Sequence, residues 1–178
     1  MSMLAVSRAS RATSNGLRPE LEQLFCEHSH MLYRTAYGML GNRADAEDVL
    51  QTIFLRLLRH ELPPDLSRNP AGYLYRAAVN LSLNVVRSRK RAAAIVHAEA
   101  FDIAGDDDGS RAAEERHRRL MEAIAALDAK HTQVLVLRYV HEQSDTAIAK
   151  LLGVSRGTIA MRLFRARLRL KKLIGEGS

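Results

Sequence analysis

The chain has 178 residues, 47% of them apolar, enough to bury a core in one domain or two small ones and too many for a disordered tail. Lys and Arg outnumber Asp and Glu by 27 to 20, a formal charge of +7 with a pI near 10.0, so the surface favours polyanions such as nucleic acid or acidic lipid headgroups. The single cysteine, Cys26, excludes an internal disulfide and a four-thiolate or two-thiolate zinc module, and no stretch has the roughly 18 to 20 apolar residues of a membrane span or the apolar block of a signal peptide; a cytoplasmic protein without membrane insertion is expected.

Residues 1–18 are rich in Ser, Ala and Arg without an acid and read as a disordered basic tail, a frayed terminus rather than a nucleic-acid-touching arm. Residues 19–91 carry three helical patterns. The first runs through Leu21, Leu24, Phe25, Leu32, Ala36 and Leu40 and stops at Gly41-Asn42; the second carries Val49, Leu50, Ile53, Phe54, Leu57 and Leu58 and ends before Pro63-Pro64. The third starts at Asn69-Pro70, where Asn caps and Pro suits the first turn, and carries Tyr73, Leu74, Ala77, Ala78, Leu81 and Val85. Residues 92–116 change character: from Ala92 to Glu115 seven acids face Arg111 alone, with Gly105 and Gly109 among them, the composition of a flexible acidic linker after a partly helical start. Helical periodicity returns over 117–178. No alternating β-branched run competes with it, so the expected fold is all-α, with two small helical domains joined by the linker.

Three constellations carry chemistry. Ser144 caps a helix that runs to Leu152, Gly153 ends it, and Ser155 caps the next helix two residues later, which is the spacing of a helix-turn-helix. Its second helix carries Arg156, Arg162, Arg165, Arg167, Arg169, Lys171 and Lys172 with no acid from Ser155 to Leu173. Like charges at helical spacing repel by roughly 0.2 to 0.5 kcal/mol per pair, so a polyanion is the natural counterpart. The second is Arg87-Ser88-Arg89-Lys90-Arg91 following Asn80 and Asn84, cations for phosphates and amides for base edges, with Tyr73 and Tyr75 upstream as stacking platforms or, more simply, as core. The third is Asp45, Glu47 and Asp48 at the start of the second helix, which fit either the helix dipole or a protein-docking surface. On a helix Cys26 and His30 share a face that His28 leaves, so no metal site is expected there. With no phosphate-cradling glycine loop and no nucleophile motif, neither a cofactor nor an enzymatic activity is expected.

Asp45-Ala46-Glu47-Asp48-Val49-Leu50-Gln51 with Phe54, followed by Asn69-Pro70-Ala71-Gly72-Tyr73-Leu74-Tyr75-Arg76 through Asn80 and Arg87, resembles region 2 of the sigma-70 family in its extracytoplasmic-function (ECF) form. Leu127-Asp128, Val134 to Tyr139, Leu152-Gly153-Val154-Ser155 and Gly157-Thr158-Ile159 with Arg162-Leu163 and Arg165-Ala166-Arg167 resemble region 4. The resemblance implies a transcription initiation factor of RNA polymerase. Asp45, Glu47, Asp48, Gln51 and Phe54 would dock on the clamp helices of the largest subunit of the polymerase core. Tyr73, Asn80, Asn84, Arg87, Arg89 and Lys90 would recognise and hold open the minus-ten promoter element. Ser155, Arg156, Thr158, Arg162 and Arg165 would read the minus-thirty-five element, and an anti-sigma factor would occlude one surface or the other. Five positions depart from the family pattern: Tyr73 stands for Trp, Asn84 for Asp, Asp128 for Pro, and Ala160-Met161 for Lys-Ser, so the promoter sequence is not carried over. Two rival readings predict different behaviour: a conventional helix-turn-helix regulator binds duplex DNA without polymerase, and a degenerate sigma-like interaction protein binds polymerase without new start sites.

Overall fold

The computed structural model describes residues 19–59, 63–96 and 108–175, and among them there are eight α-helices and no strand. They are α1 (Pro19–Leu40), α2 (Arg43–Arg59), α3 (Pro64–Arg68), α4 (Pro70–Val96), α5 (Asp108–Ala125), α6 (Ala129–Tyr139), α7 (Asp145–Leu152) and α8 (Arg156–Gly175). Of the expected linker, 92–96 prolong α4 and 108–116 open α5; residues 97–107 and the basic tail 1–18 lie outside the described residues.

Local side chains set most helix boundaries. Gly41 closes α1 with a φ of 72°, and the Asn42 side chain accepts the Asp45 backbone N–H at 2.9 Å to start α2. Asn69 accepts the Gly72 N–H at 2.9 Å ahead of Pro70, Asp128 accepts His131 N–H at 3.0 Å, Ser144 accepts Ala147 N–H at 3.2 Å, and Ser155 accepts Thr158 N–H at 3.1 Å. Helix α3 is the element that periodicity does not announce: Pro63-Pro64 reads as a break, yet a proline at the first position starts a helix, and this one seats Leu66 at 1% exposure.

Helices α1, α2 and α4 bury Leu32, Ala36, Met39, Ala46, Val49, Ile53, Leu74, Val79 and Leu83 against each other. Side chains of this kind each contribute roughly 1.5 to 3 kcal/mol when fully buried. In the C-terminal half Ile148, Ile159, Leu163 and Ala166 close α7 and α8 over α6. Helix α6 is buried over every residue from His131 to Leu137, the mark of a helix surrounded on all sides, and it touches α1 and α4 as well as α5, α7 and α8. The two sets of four helices therefore share one continuous core in this arrangement, with α6 at its centre. No described helix is long and apolar enough to cross a membrane.

Candidate functional site

Helix α8 displays three faces. Ile159, Leu163, Ala166 and Leu170 turn inward. Thr158, Arg162, Arg165 and Arg169 follow at steps of four, three and four and so share a second face, on which Arg165 and Arg169 are exposed and Arg162 is half-buried. Arg156 stands exposed at the first turn, at the end that a helix-turn-helix directs to bases. The Ser155 and Thr158 hydroxyls lie 2.8 Å apart, so the two hydroxyls expected to touch DNA also hold the start of the helix together. Gly153, at φ 68° and ψ 37°, makes the turn, a left-handed conformation that a side chain resists. Two cations lean on the scaffold instead: Arg167 Nε donates to the Tyr139 hydroxyl at 3.0 Å, and Arg169 lies 3.5 Å from the Asp128 carboxylate that caps α6.

On α4, Asn80 and Asn84 are exposed and one turn apart, while Tyr73 is half-buried. Tyr75 is fully buried, its hydroxyl donating to the Gln133 carbonyl at 2.7 Å, and burial pushes the phenol well above its usual range. It belongs to the core. The basic cluster at the end of α4 does not act as one patch in this arrangement. Arg87 donates to the Ala125 and Leu127 carbonyls at 2.9 and 3.2 Å, Arg89 pairs with Asp45, and Lys90 lies 4.0 Å from Glu122. An open groove of about 330 Å³ remains between Val86, Arg87 and Lys90 on one side and Glu122, Ala125 and Ala126 on the other.

On α2, Asp45 meets Arg89 and Asn42, and Glu47 accepts from Arg43 at 2.8 Å. Phe54 packs on Phe25 with ring centroids 4.9 Å apart. Asp48 and Gln51 face solvent, and Leu55, four residues after Gln51, and Leu58, three further on, are exposed by 46% and 40%. Sequence periodicity assigns Leu58 to the core and passes over Leu55. The arc of apolar positions on α2 is wider than one buried stripe, and that excess is the signal that some of them face outward. Helix α8 holds a similar excess: Met161, Phe164 and Leu168, at i, i+3 and i+7, are all more than half exposed beside the cationic face.

A helix-turn-helix with a cationic second helix, preceded by a helical half that exposes two asparagines on α4 and acidic and apolar side chains on α2, has the form of a DNA-binding protein. Comparison with known proteins narrows the class. Residues 24–92 match the family Sigma-70 region 2, and residues 123–172 match Sigma-70, region 4. The chain is 30% identical to the ECF RNA polymerase sigma factor SigW of Bacillus subtilis, over 82% of this chain and 83% of that protein. It is 30% identical to SigL of Mycobacterium tuberculosis over 98% of this chain and 97% of that one. Against SigE of Mycolicibacterium smegmatis, also 30% identical, the match covers 90% of this chain and spans 63% of that protein. Among solved structures, CnrH in complex with the cytosolic domain of CnrY is similar in fold, with a TM-score of 0.51 at 24% identity over 99% of this chain and 97% of that one. The chain belongs to the ECF group of the sigma-70 family of RNA polymerase sigma factors.

Proposed function

We propose that the protein is a cytoplasmic promoter-specificity subunit that binds core RNA polymerase, engages and melts promoter DNA, and performs no catalytic step of its own. Residues 19–91 form the part that docks on core and engages the minus-ten element; residues 117–178 form the part that engages the minus-thirty-five element, with 92–116 between them. The observation that carries this reading is the pairing, in one chain, of a fully capped helix-turn-helix bearing an acid-free cationic helix with a second helix, α4, that presents Asn80 and Asn84 to solvent.

Docking uses the outer face of α2. Asp48 and Gln51 beside Leu55 and Leu58 offer a carboxylate and an amide around two apolar anchors, with Asp45, Glu47 and Phe54 flanking them, a suitable surface for a helical partner that carries cations. On DNA, Arg156, Arg162 and Arg165 supply the upstream contacts, with Ser155 and Thr158 at the helix start. Tyr73, Asn80, Asn84, Arg87, Arg89 and Lys90 supply the downstream ones. Each set is small, and holding both on one polymerase makes the second contact intramolecular, so two weak associations act together. Strand opening needs no nucleotide hydrolysis: unpairing a few bases costs several kcal/mol, and stacking or pocketing extruded bases at ~1 to 3 kcal/mol each offsets much of it. An anti-sigma factor that occludes one of these surfaces is a further proposed partner.

Co-purification with core polymerase followed by run-off transcription on genomic fragments tests the reading. New start sites are expected; retention on core without them refutes the initiation role. Asp48→Arg is expected to weaken assembly with core while leaving duplex binding by α8 unchanged, and intact assembly would refute the docking face.

A further inference from the structure

The outermost stripe of α8 is apolar. At about 100° per residue, Met161, Phe164 and Leu168 fall within roughly 60° of one another. They lie about half a turn from Ile159, Leu163 and Ala166, which seat the helix on the core. Met161 is 51% exposed, Phe164 63% and Leu168 61%. Among the described residues, Tyr139 is the one other large apolar side chain more than half exposed, and its hydroxyl accepts from Arg167 of the same helix at 3.0 Å. Single exposed apolar residues are ordinary on a protein surface, whereas three in line on an acid-free cationic helix mark a contact surface.

The cations stand on either side of that stripe. Arg165 and Arg169 flank one edge, Arg167 and Lys171 the other, and all four are exposed. A helix about 10 to 12 Å thick fills a major groove about 12 Å wide, so its outer stripe meets the floor of base edges and its flanks meet the two phosphate walls. Cations on both flanks match both walls. Toward the floor, Met161 and Phe164 present a thioether and a ring, neither of which donates a hydrogen bond. The floor offers acceptors, donors and one apolar group, the 5-methyl of thymine. Polar base edges pressed against these two side chains would lose water without gaining a partner, so the methyl is the group that suits them.

Position along the helix separates the three. Met161 and Phe164 fall within roughly the first 12 Å of α8, the end that a helix-turn-helix directs to bases, while Leu168 lies about 18 Å along it. Met161 is also a departure of this chain, since the sigma-70 pattern has a serine there, and its neighbour Ala160 is exposed and without a polar group. The unbranched, polarizable side chain of methionine adapts its shape to a shallow apolar partner.

We propose that Met161, with Phe164 beside it, reads thymine in the minus-thirty-five element through the 5-methyl group, so that part of this protein's promoter choice is made by apolar contact instead of hydrogen bonding. The proposal rests on the sigma-factor reading for the promoter, and on the exposed stripe of α8 for the chemistry.

The test uses the full chain assembled on core polymerase. Binding-site selection defines the upstream element, and each of its thymines is then replaced in turn by deoxyuridine, which pairs in the same way and lacks the methyl. Removing the methyl that Met161 covers should lower affinity about fourfold, the worth of burying one methyl-sized group. In Met161→Ser that penalty should vanish, while the salt dependence of binding stays the same because no phosphate contact has changed. Cytosine at that position should bind worse than thymine, and 5-methylcytosine should recover about fourfold of the loss. A substitution that merely disturbed the helix would weaken the thymine and deoxyuridine elements equally and leave the penalty in place. A penalty that persists in Met161→Ser, a selected element without thymine, or no effect of deoxyuridine at any thymine overturns the proposal and assigns the stripe to a protein or lipid surface. Run-off transcription separates this from the other reading. A chain that initiates with no methyl dependence refutes the methyl contact alone. A chain that directs no new start sites refutes the sigma-factor role alone, and the same base replacements are then read on the duplex that the full chain selects by itself. A chain that selects no duplex in either setting overturns both.

Discussion

Acidification should loosen the contact between α1 and the segment after α6 at one histidine. Thr35 Oγ1 donates to the Met31 carbonyl at 2.8 Å, which leaves it to accept from His141 Nε2, also at 2.8 Å, and places a proton on that nitrogen. Burial, then the charge of Arg34 and that of His30, lower the His141 pKa from 6.5 to about 4; the Tyr75 ring meets its edge at 6.0 Å from α4. A base whose folded pKa is depressed contributes stability that is full above the unfolded value and declines as pH falls toward the folded one. Between about pH 7 and pH 5 the ceiling on that loss is roughly 2 kcal/mol. Partial solvation of the ring reduces it to about 1 kcal/mol, or about 2 to 4 °C in Tm for a chain of this size. Glu115, held at about 2 by hydrogen bonds from Arg118 and Arg119, loses its contribution at lower pH and does not compete in this window. The assay is thermal unfolding followed by circular dichroism at the two pH values, for the natural chain and for His141→Gln, which keeps a donor toward Thr35 but takes up no proton. The variant should lose less stability on acidification by about the amount calculated. Equal losses in the two proteins would refute the assignment.

Two further outcomes follow from the helix-turn-helix. Gly153→Ala forces a Cβ into the left-handed turn and should lower stability by about 1 to 2 kcal/mol, read as a fall in Tm; an unchanged or higher Tm would show that the turn tolerates a side chain. Arg162→Ala should weaken holoenzyme binding to the upstream element by about 1 to 3 kcal/mol and relax preference at one base position if the guanidinium pairs with a base. Binding-site selection with the holoenzyme reads both effects, and a uniform loss across sequences would assign Arg162 to a phosphate instead.

The helix boundaries were legible wherever a side chain acts on its own neighbourhood. Asn69-Pro70, Asp128, Ser144, Gly153 and Ser155 each cap or stop a helix within three residues of themselves, so the chain announces them locally. The core stripes of α2 and α8 were legible too, but not which extra apolar residues would face outward, because periodicity counts positions and does not say how much of the arc is covered. Leu55, Leu58, Met161, Phe164 and Leu168 are that remainder. The cluster Arg87, Arg89 and Lys90 reads as one patch in the sequence, yet the fold divides it between α5, which Arg87 and Lys90 meet, and Asp45 on α2, which Arg89 meets. Such contacts join residues far apart in the chain, 38 positions from Arg87 to Ala125 and 106 from Arg34 to Val140, and no local pattern encodes them.

The bond from Tyr75 to Gln133 has a consequence during translation. The two residues are 58 positions apart, and at roughly 5 to 20 residues per second a ribosome takes about 3 to 12 seconds to traverse that interval. For those seconds the emerging chain displays an aromatic side chain that the finished molecule covers entirely. A nascent-chain ligand for that surface therefore has a brief opportunity that ends when α6 leaves the exit tunnel.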